Sequence, residues 1–242
     1  MLDIYNAIIM NIYGDTPPAQ GAITDLCGNA TINNPGIISR IFRQMMEDRD
    51  WEFMRREVVV AITAGQCIVN INDSVKNIIR IRYQQPDNYF SKPLSFITLD
   101  EARYTFPINP AAPAWTADTY PEYYAMRGIP IVGYDEVSLE LYPVPGVAMN
   151  ILKEYYSYGA NGGYVQWVFL DGVPTVTPYP DGMRFLREPV IYYSTAELLK
   201  VLGEMNKAAV FEQRGLAEYD NCRYLDSKMK SPGVQQLRYK GC

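Results

Sequence analysis

The apolar positions change their period twice along the chain. From Leu2 to Tyr13, the residues Tyr5, Ile8, Ile9 and Ile12 recur at helical spacing, and Gly14-Asp15-Thr16-Pro17-Pro18 closes the element. The polar segment Ala19 to Asn34 has room for a short turn of helix around Asp25. Pro35 to Arg56 predicts the next helix, with Asn34 as N-cap and Pro35 in its first turn. Its apolar face is Ile37, Ile38, Ile41, Phe42, Met45 and Met46. Its polar face is Arg40, Arg43, Glu47, Asp48 and Arg49, and Trp51, Phe53 and Met54 extend an aromatic end. A Met and aromatic stripe at this spacing reads as core rather than as a cofactor pocket.

From Glu57 the period falls to two. Glu57 to Thr63 and Gln66 to Ile71 flank Ala64-Gly65 and predict a hairpin. Asn77 to Tyr83 alternates Ile79 and Ile81 with Arg80 and Arg82. Thr98-Leu99-Asp100-Glu101 has the form of a capping box and predicts a short helix from Leu99 to Phe106. After the Pro- and Ala-rich stretch Asn109 to Tyr120, strands are expected at Glu122 to Met126, Val137 to Tyr142 and Met149 to Tyr158. The turns Arg127-Gly128-Ile129-Pro130 and Pro143-Val144-Pro145-Gly146 separate them. This spacing implies an antiparallel sheet or small sandwich. Tyr164 to Leu170 and Val173 to Thr177, around Asp171-Gly172, read as a hairpin that projects as an arm and closes at Pro178 to Gly182.

The helical period then returns. Glu188-Pro189 opens a helix through Leu202, with Ile191, Leu198, Leu199 and Leu202 as its apolar side. Gly203 marks a break or tight packing. Asn206 to Lys228 is the last helix, with Val210, Phe211, Leu216, Tyr219 and Leu225 expected to be buried, and Ser231-Pro232-Gly233 stops it. The expected class is α+β. A helical bundle is built from both chain ends, residues 1–56 and 183–230, because neither end pair buries its apolar face alone. The β domain, 57–182, is inserted between them and carries the projecting hairpin 161–182. Residues 231–242 form a C-terminal tail.

Composition narrows the chemistry. The 242 residues include no histidine and 20 tyrosines. This excludes Ser-His-Asp and Cys-His catalysis, His-ligated metal and an imidazole pH switch. Cys27, Cys67, Cys222 and Cys242 are scattered without a Cys-x-x-Cys pair, which predicts reduced thiols rather than zinc or a disulfide framework. No apolar run is long enough to cross a bilayer, and Met1 to Tyr13 does not read as a secretion signal. Asp100/Glu101 is better explained by the cap than by glycoside hydrolysis, and Asp135/Glu136 by a polar turn. Gly159 to Gly163 lacks the Lys-Ser/Thr of a phosphate-binding loop and reads as a hinge. Arg55-Arg56 and Lys228/Lys230 read as helix-end cations facing the dipole rather than as phosphate contacts. The expectation is a protein that is not an enzyme and uses no metal and no cofactor.

Regional charge differs. Residues 183–242 hold 10 basic and 7 acidic side chains, 57–182 hold 7 and 13, and 1–56 hold 5 and 7, which sum to the chain's net −5. A basic end and an acidic middle suit a stacked assembly with different partners on its two sides. The 13 tyrosines from Tyr83 to Tyr179 suit interfaces, since tyrosine combines contact area with a polar tip.

A set of motifs carries a family resemblance. They are Arg43 to Glu57 with Asp50-Trp51-Glu52-Phe53, then Val58 to Ile62, Ile78-Ile79-Arg80-Ile81 and Tyr124 to Pro130. The most specific is Leu139-Glu140-Leu141-Tyr142-Pro143-Val144-Pro145, and the likeness resumes in Arg187 to Asp226. Together, in this helix–sheet–helix order, they resemble the head-to-tail adaptors of short-tailed bacteriophages, the tail tubular protein A type. The hairpin Tyr164 to Pro180 is extra to that pattern. The resemblance implies a structural virion protein of the neck or tail, made in the host cytoplasm and without a membrane role. Such adaptors form rings, usually of twelve copies, between the portal protein and a downstream tail or nozzle protein. The ring encloses the channel through which genomic DNA leaves without specific binding. On this reading Lys228, Lys230, Arg238, Tyr239 and Lys240 meet the portal. Tyr164, Gln166, Trp167, Phe169 and Asp171 meet a neighbouring subunit or the tail partner. A different class stays open: a cellular carbohydrate- or protein-binding module whose tyrosine-rich β domain is the site.

Overall fold

A computed structural model describes residues 2–15, 18, 20–28, 36–71, 75–84, 89–106, 119–127, 137–158, 169–170, 173–174 and 182–230. They belong to two compact units, Met1–Phe53 with Gly163–Cys242, and Met54–Gly162. The first is helical and the second is a β unit, so the class is α+β.

The helical unit is arranged around one helix. α1 (Leu2–Tyr13), α2 (Gln20–Cys27) and α3 (Gly36–Asp48) come from the front of the chain, and α5 (Arg187–Val201) and α6 (Met205–Lys230) from the back. α5 touches all the others. That is why Pro189, Val190, Ile191, Ser194, Thr195, Ala196, Leu198 and Leu199 are buried almost all round its circumference. Leu202, expected on its apolar side, lies beyond the helix and is exposed. There Gly203 takes φ +81°, and Gly203 and Glu204 donate to the carbonyls of Lys200 and Leu199 at 3.0 and 2.9 Å. Those bonds satisfy the last carbonyls of α5 and start α6.

On α3 the six predicted apolar residues are all buried. Arg43, expected on the polar face, is buried too, because α2 and α5 flank α3 and cover more than a single stripe. Its Nε donates to Glu47 Oε1 at 2.8 Å. The helix ends at Asp48 rather than Arg56. Trp51 turns back and its Nε1 donates to the Met45 carbonyl at 2.7 Å, satisfying an acceptor of the last turn. One turn of 3-10 helix, Glu52–Met54, follows, and Arg55 already belongs to a strand.

α6 buries a different face from the one its apolar residues predict. Val210, Leu216 and Leu225 are 49%, 53% and 43% exposed, and Phe211 and Tyr219 are half-buried. The buried positions are Ala208, Gly215, Cys222 and Asp226. The cause is close approach to α5: a Cβ added at Gly215 would lie 3.1 Å from the Tyr193 ring. Small residues let the two backbones come together, so smallness rather than hydrophobicity marks this face.

The β unit is a sandwich. One sheet has the antiparallel order β1 (Arg55–Ile62), β7 (Met149–Ser157), β3 (Val75–Tyr83). The other has the order β2 (Ile68–Ile71), β6 (Val137–Tyr142), β5 (Tyr123–Arg127), β4 (Ser95–Phe96), with β4 parallel to β5. Ile62, Ile81, Met149, Ile151 and Tyr155 of the first sheet meet Val69, Ile71, Tyr124, Leu139 and Leu141 of the second in one core. The predicted β1–β2 hairpin is not formed. β1 pairs with β7 and β2 with β6, so Thr63–Cys67 is a corner between sheets. Both apolar sets face the same core from opposite sides, which a single ladder cannot arrange. α4 (Leu99–Thr105) lies on the outer face of the second sheet, with Ala102 packed among Ile97, Ala125 and Tyr142. Its cap is the one predicted: Thr98 Oγ1 accepts from the Glu101 amide at 3.2 Å.

The segment 161–182 departs from expectation. Its described strands, β8 (Phe169–Leu170) and β9 (Val173–Pro174), pair antiparallel. They belong with the helical unit, where β9 touches α2, rather than with the β domain as a projecting arm. So short a hairpin has no core of its own and gains stability by lying on another element. The rest of the predicted hairpin lies outside the described residues.

On the outer face of the first sheet, Glu154 is buried and paired with Arg55 at 3.0 Å and with Arg80. Burial by itself raises the Glu154 carboxyl, but the hydrogen bonds from Arg80 and Arg55 outweigh it and hold the group below its ordinary value of 4.5. A lowered folded value stabilises the fold above the unfolded value and is lost as pH falls through the folded one. Urea unfolding is therefore expected to show acid destabilisation below about pH 4.5 that Glu154→Gln reduces, with the variant about 1 kcal/mol weaker at pH 7. Identical acid dependence in both proteins would remove the pair from the stability of this sheet.

Candidate functional site

The residues expected to meet the portal separate into three cases. Lys228 is exposed on α6, with its ammonium 4.3 Å from the centroid of the Tyr224 ring. Lys230 is engaged inside the fold: it pairs with Asp226 at 2.9 Å and donates to the Asp50 carbonyl. Arg238, Tyr239 and Lys240 lie outside the described residues. So do Tyr164, Gln166, Trp167 and Asp171, while Phe169 is placed only as backbone, paired with Pro174 in the β8–β9 ladder. Of the predicted contact residues, Lys228 and Lys230 alone have described side chains, both in the last turn of α6. Arg55, read as a helix-end cation, belongs to β1 and to the Glu154 pair, and Arg56 follows it in that strand.

The regional charge contrast changes on the observed boundaries. Met54–Gly162 holds 9 basic and 11 acidic residues, and the rest of the chain 13 and 16. The two units are then −2 and −3, and the acidic middle and basic end dissolve into local features.

One such local feature is on α6. Lys207, Val210, Arg214, Ala217, Asn221, Tyr224 and Lys228 follow one another at steps of three and four residues, and all are exposed. Steps of three and four keep residues on one helix face. This stripe spans 21 residue steps, about 31 Å, and carries three basic and no acidic residues. It lies across the helix from Ala208, Gly215 and Cys222, the face that packs on α5. Lys207 pairs with Glu204 at 3.3 Å, whereas Arg214 lies over the Phe211 ring at 5.7 Å and Lys228 over Tyr224. Sequence reasoning singled out Lys228 alone. Counting charge along the three-four spacing of the helix, instead of looking for apolar residues, finds the whole stripe.

The second feature is a groove of 520 Å³ between α3, α5 and α6. Ile41, Met45, Tyr193 and Tyr219 line it, with Arg40, Gln44, Asp48 and Glu197 on its walls. Tyr219 donates to Asp48 Oδ2 at 2.8 Å, and burial with that bond pushes its phenol well above the ordinary range. Glu197 lies 3.8 Å from Arg40 and 2.8 Å from Lys200, and Asp48 lies 3.7 Å from Arg223. Around Asp48 the run 47–52 holds four acids and one arginine.

The β unit has a hollow of 430 Å³ between β1, β7 and β2, lined by Val58, Val60, Ile68, Lys153 and Tyr155 among others. Buried Lys153 spans the two sheets there, donating to the Asn70 carbonyl at 2.9 Å. Exposed aromatic residues of this unit include Tyr89, Phe96 and Tyr104, the last 91% exposed. Cys27, Cys67 and Cys222 are free thiols; burial pushes Cys27 up to about 12 and Cys222 to about 11. At neutral pH both are protonated, poor nucleophiles. Among the described residues no three Cys, Asp or Glu side chains converge as metal ligands do, and no helix is long and apolar enough to cross a membrane. No protein-family model matches the chain, and no curated protein matches it either.

Proposed function

We propose that the chain is a structural virion protein, a head-to-tail adaptor that forms a ring between the portal and the tail and lines the DNA exit channel. The observation that carries this reading is the architecture: both ends of the chain build one helical unit, and a β-sandwich is inserted between them in the sequence. The family that the sequence motifs resemble has this order. The helical unit adds a long outer helix with a charged exposed face and a groove elsewhere on its surface, which suits repeated subunit contacts. On this reading the partners are the portal protein, a downstream tail or nozzle protein and further copies of the chain, twelve to a ring as in the family that the motifs resemble. DNA passes through without sequence-specific contacts, and no catalytic step is assigned.

The test is assembly. Purified protein mixed with its portal is expected to give rings in negative-stain images and a mass of many copies. Removing residues 234–242 is expected to weaken portal attachment while circular dichroism stays unchanged. A protein that stays monomeric with portal present, and binds sugars saturably through Tyr89, Phe96 or Tyr104, would instead establish the carbohydrate-binding module.

A further inference from the structure

We infer that the α6 stripe of one copy seats in the α3–α5–α6 groove of the next, so that the subunit contact is head-to-tail. This rests on the ring reading and names the surface that makes the ring.

Three observations carry it. The first is position. The stripe faces away from α5, whereas the groove is bounded by α5 itself, by α3 and by the Tyr219 side of α6. Two different faces of one chain that fit each other generate a heterologous contact, which closes into a ring or runs on as a filament. The second is shape. Val210, Ala217 and Tyr224 recur every seven residues along the stripe, about 10.5 Å apart, and form a ridge with a small residue at its middle. The groove follows α3 from Arg40 to Asp48 over an apolar floor of Ile41, Met45 and Tyr193. A ridge of one helix entering a groove between others is the ordinary mode of helix packing. The third is charge. The stripe carries Lys207, Arg214 and Lys228 with no acid among them, and Arg214 and Lys228 have no carboxylate partner among the described residues. On the groove side the lining holds two acids, Asp48 and Glu197, against one base, Arg40, and the nearby bases Lys200 and Arg223 are each already set against an acid. The chain's net charge of −5 disfavours the other occupant of a basic stripe, a nucleic-acid backbone.

Two variants and their mixture test it. Arg214→Glu with Lys228→Glu spoils the ridge and leaves the groove. Gln44→Trp fills the groove at an exposed position and leaves the ridge. Each is expected to keep the wild-type circular dichroism and melting temperature and to sediment as a monomer where the wild type forms rings. Mixed one to one, they retain one good ridge and one good groove between them, and dimers that grow no further are expected. Variants that still form rings overturn the surface and leave the ring reading standing. A wild type that forms no ring with or without portal overturns both. Wild-type assembly by both variants, with salt-sensitive duplex DNA binding lost only in the ridge variant, would make the stripe a nucleic-acid surface.

Discussion

Trp51→Ala will lower the stability of the helical unit by about 3–5 kcal/mol, the range for deleting a buried aromatic side chain. Trp51 is fully buried. Its ring centroid lies 5.9 Å from Phe53, 5.9 Å from Phe185 and 5.8 Å from Tyr219, and the Arg49 guanidinium is 5.1 Å from it. Truncation leaves a cavity where the end of α3, the segment before α5 and the middle of α6 converge. It also strips the Met45 carbonyl of its indole donor, a further 1 kcal/mol or so. Trp51→Phe keeps most of the packing and loses the bond, so it is expected to fall between wild type and alanine. Urea unfolding followed by far-ultraviolet circular dichroism gives the comparison, and a cost under about 1 kcal/mol for alanine would show that this junction tolerates collapse.

Asp226→Ala is the second large effect, about 3 kcal/mol. The carboxylate is fully buried on α6. Oδ1 accepts from the Glu52 amide at 2.6 Å, and Oδ2 lies 3.1 Å from Arg49 and 2.9 Å from Lys230. Removing it strands a backbone donor and leaves two cations beside each other without their counter-ion. Both cations keep about a quarter of their surface, so partial rehydration holds the loss to the low end for a broken buried pair. Amide hydrogen exchange is expected to accelerate at Glu52 and in the last two turns of α6, where Lys228 sits. Asp226→Asn, which can still accept from Glu52 but cannot neutralise the cations, separates the two contributions. If asparagine costs as much as alanine, the charge matters and the amide bond adds little.

Much of the local structure was legible in the chain. The α3 face could be read because it is apolar and periodic, and each of Ile37, Ile38, Ile41, Phe42, Met45 and Met46 is buried as that pattern requires. The Thr98 cap could be read because its bond is local, to an amide three residues on. α6 could not be read the same way. Its inner face is Ala208, Gly215 and Cys222, residues chosen for size, and its most consequential buried residue is an aspartate. Apolar periodicity therefore assigned Val210, Leu216 and Leu225 to the inside, whereas all three are exposed. The outward stripe was hidden for the same reason, since Val210 within it was assigned to the inside and its bases were not read at helical spacing.

The sequence by itself determined the α+β class and most element types in their order, because these depend on spacing, caps and turn residues within a few positions of each other. It did not determine β4 or the helix-to-strand change before Arg55. Only the tertiary structure decided three things. It decided that β1 and β2 pair with β7 and β6 rather than with one another, since alternation says which residues face a core but not which strand lies alongside. It decided that the counter-charges of the buried Asp226 are Lys230, on α6 itself, and Arg49, from the front of the chain. It also decided which side of α6 is left exposed. That side is whatever remains after α5 has taken the face that allows closest approach, and closeness of approach is a property of two helices together rather than of one sequence.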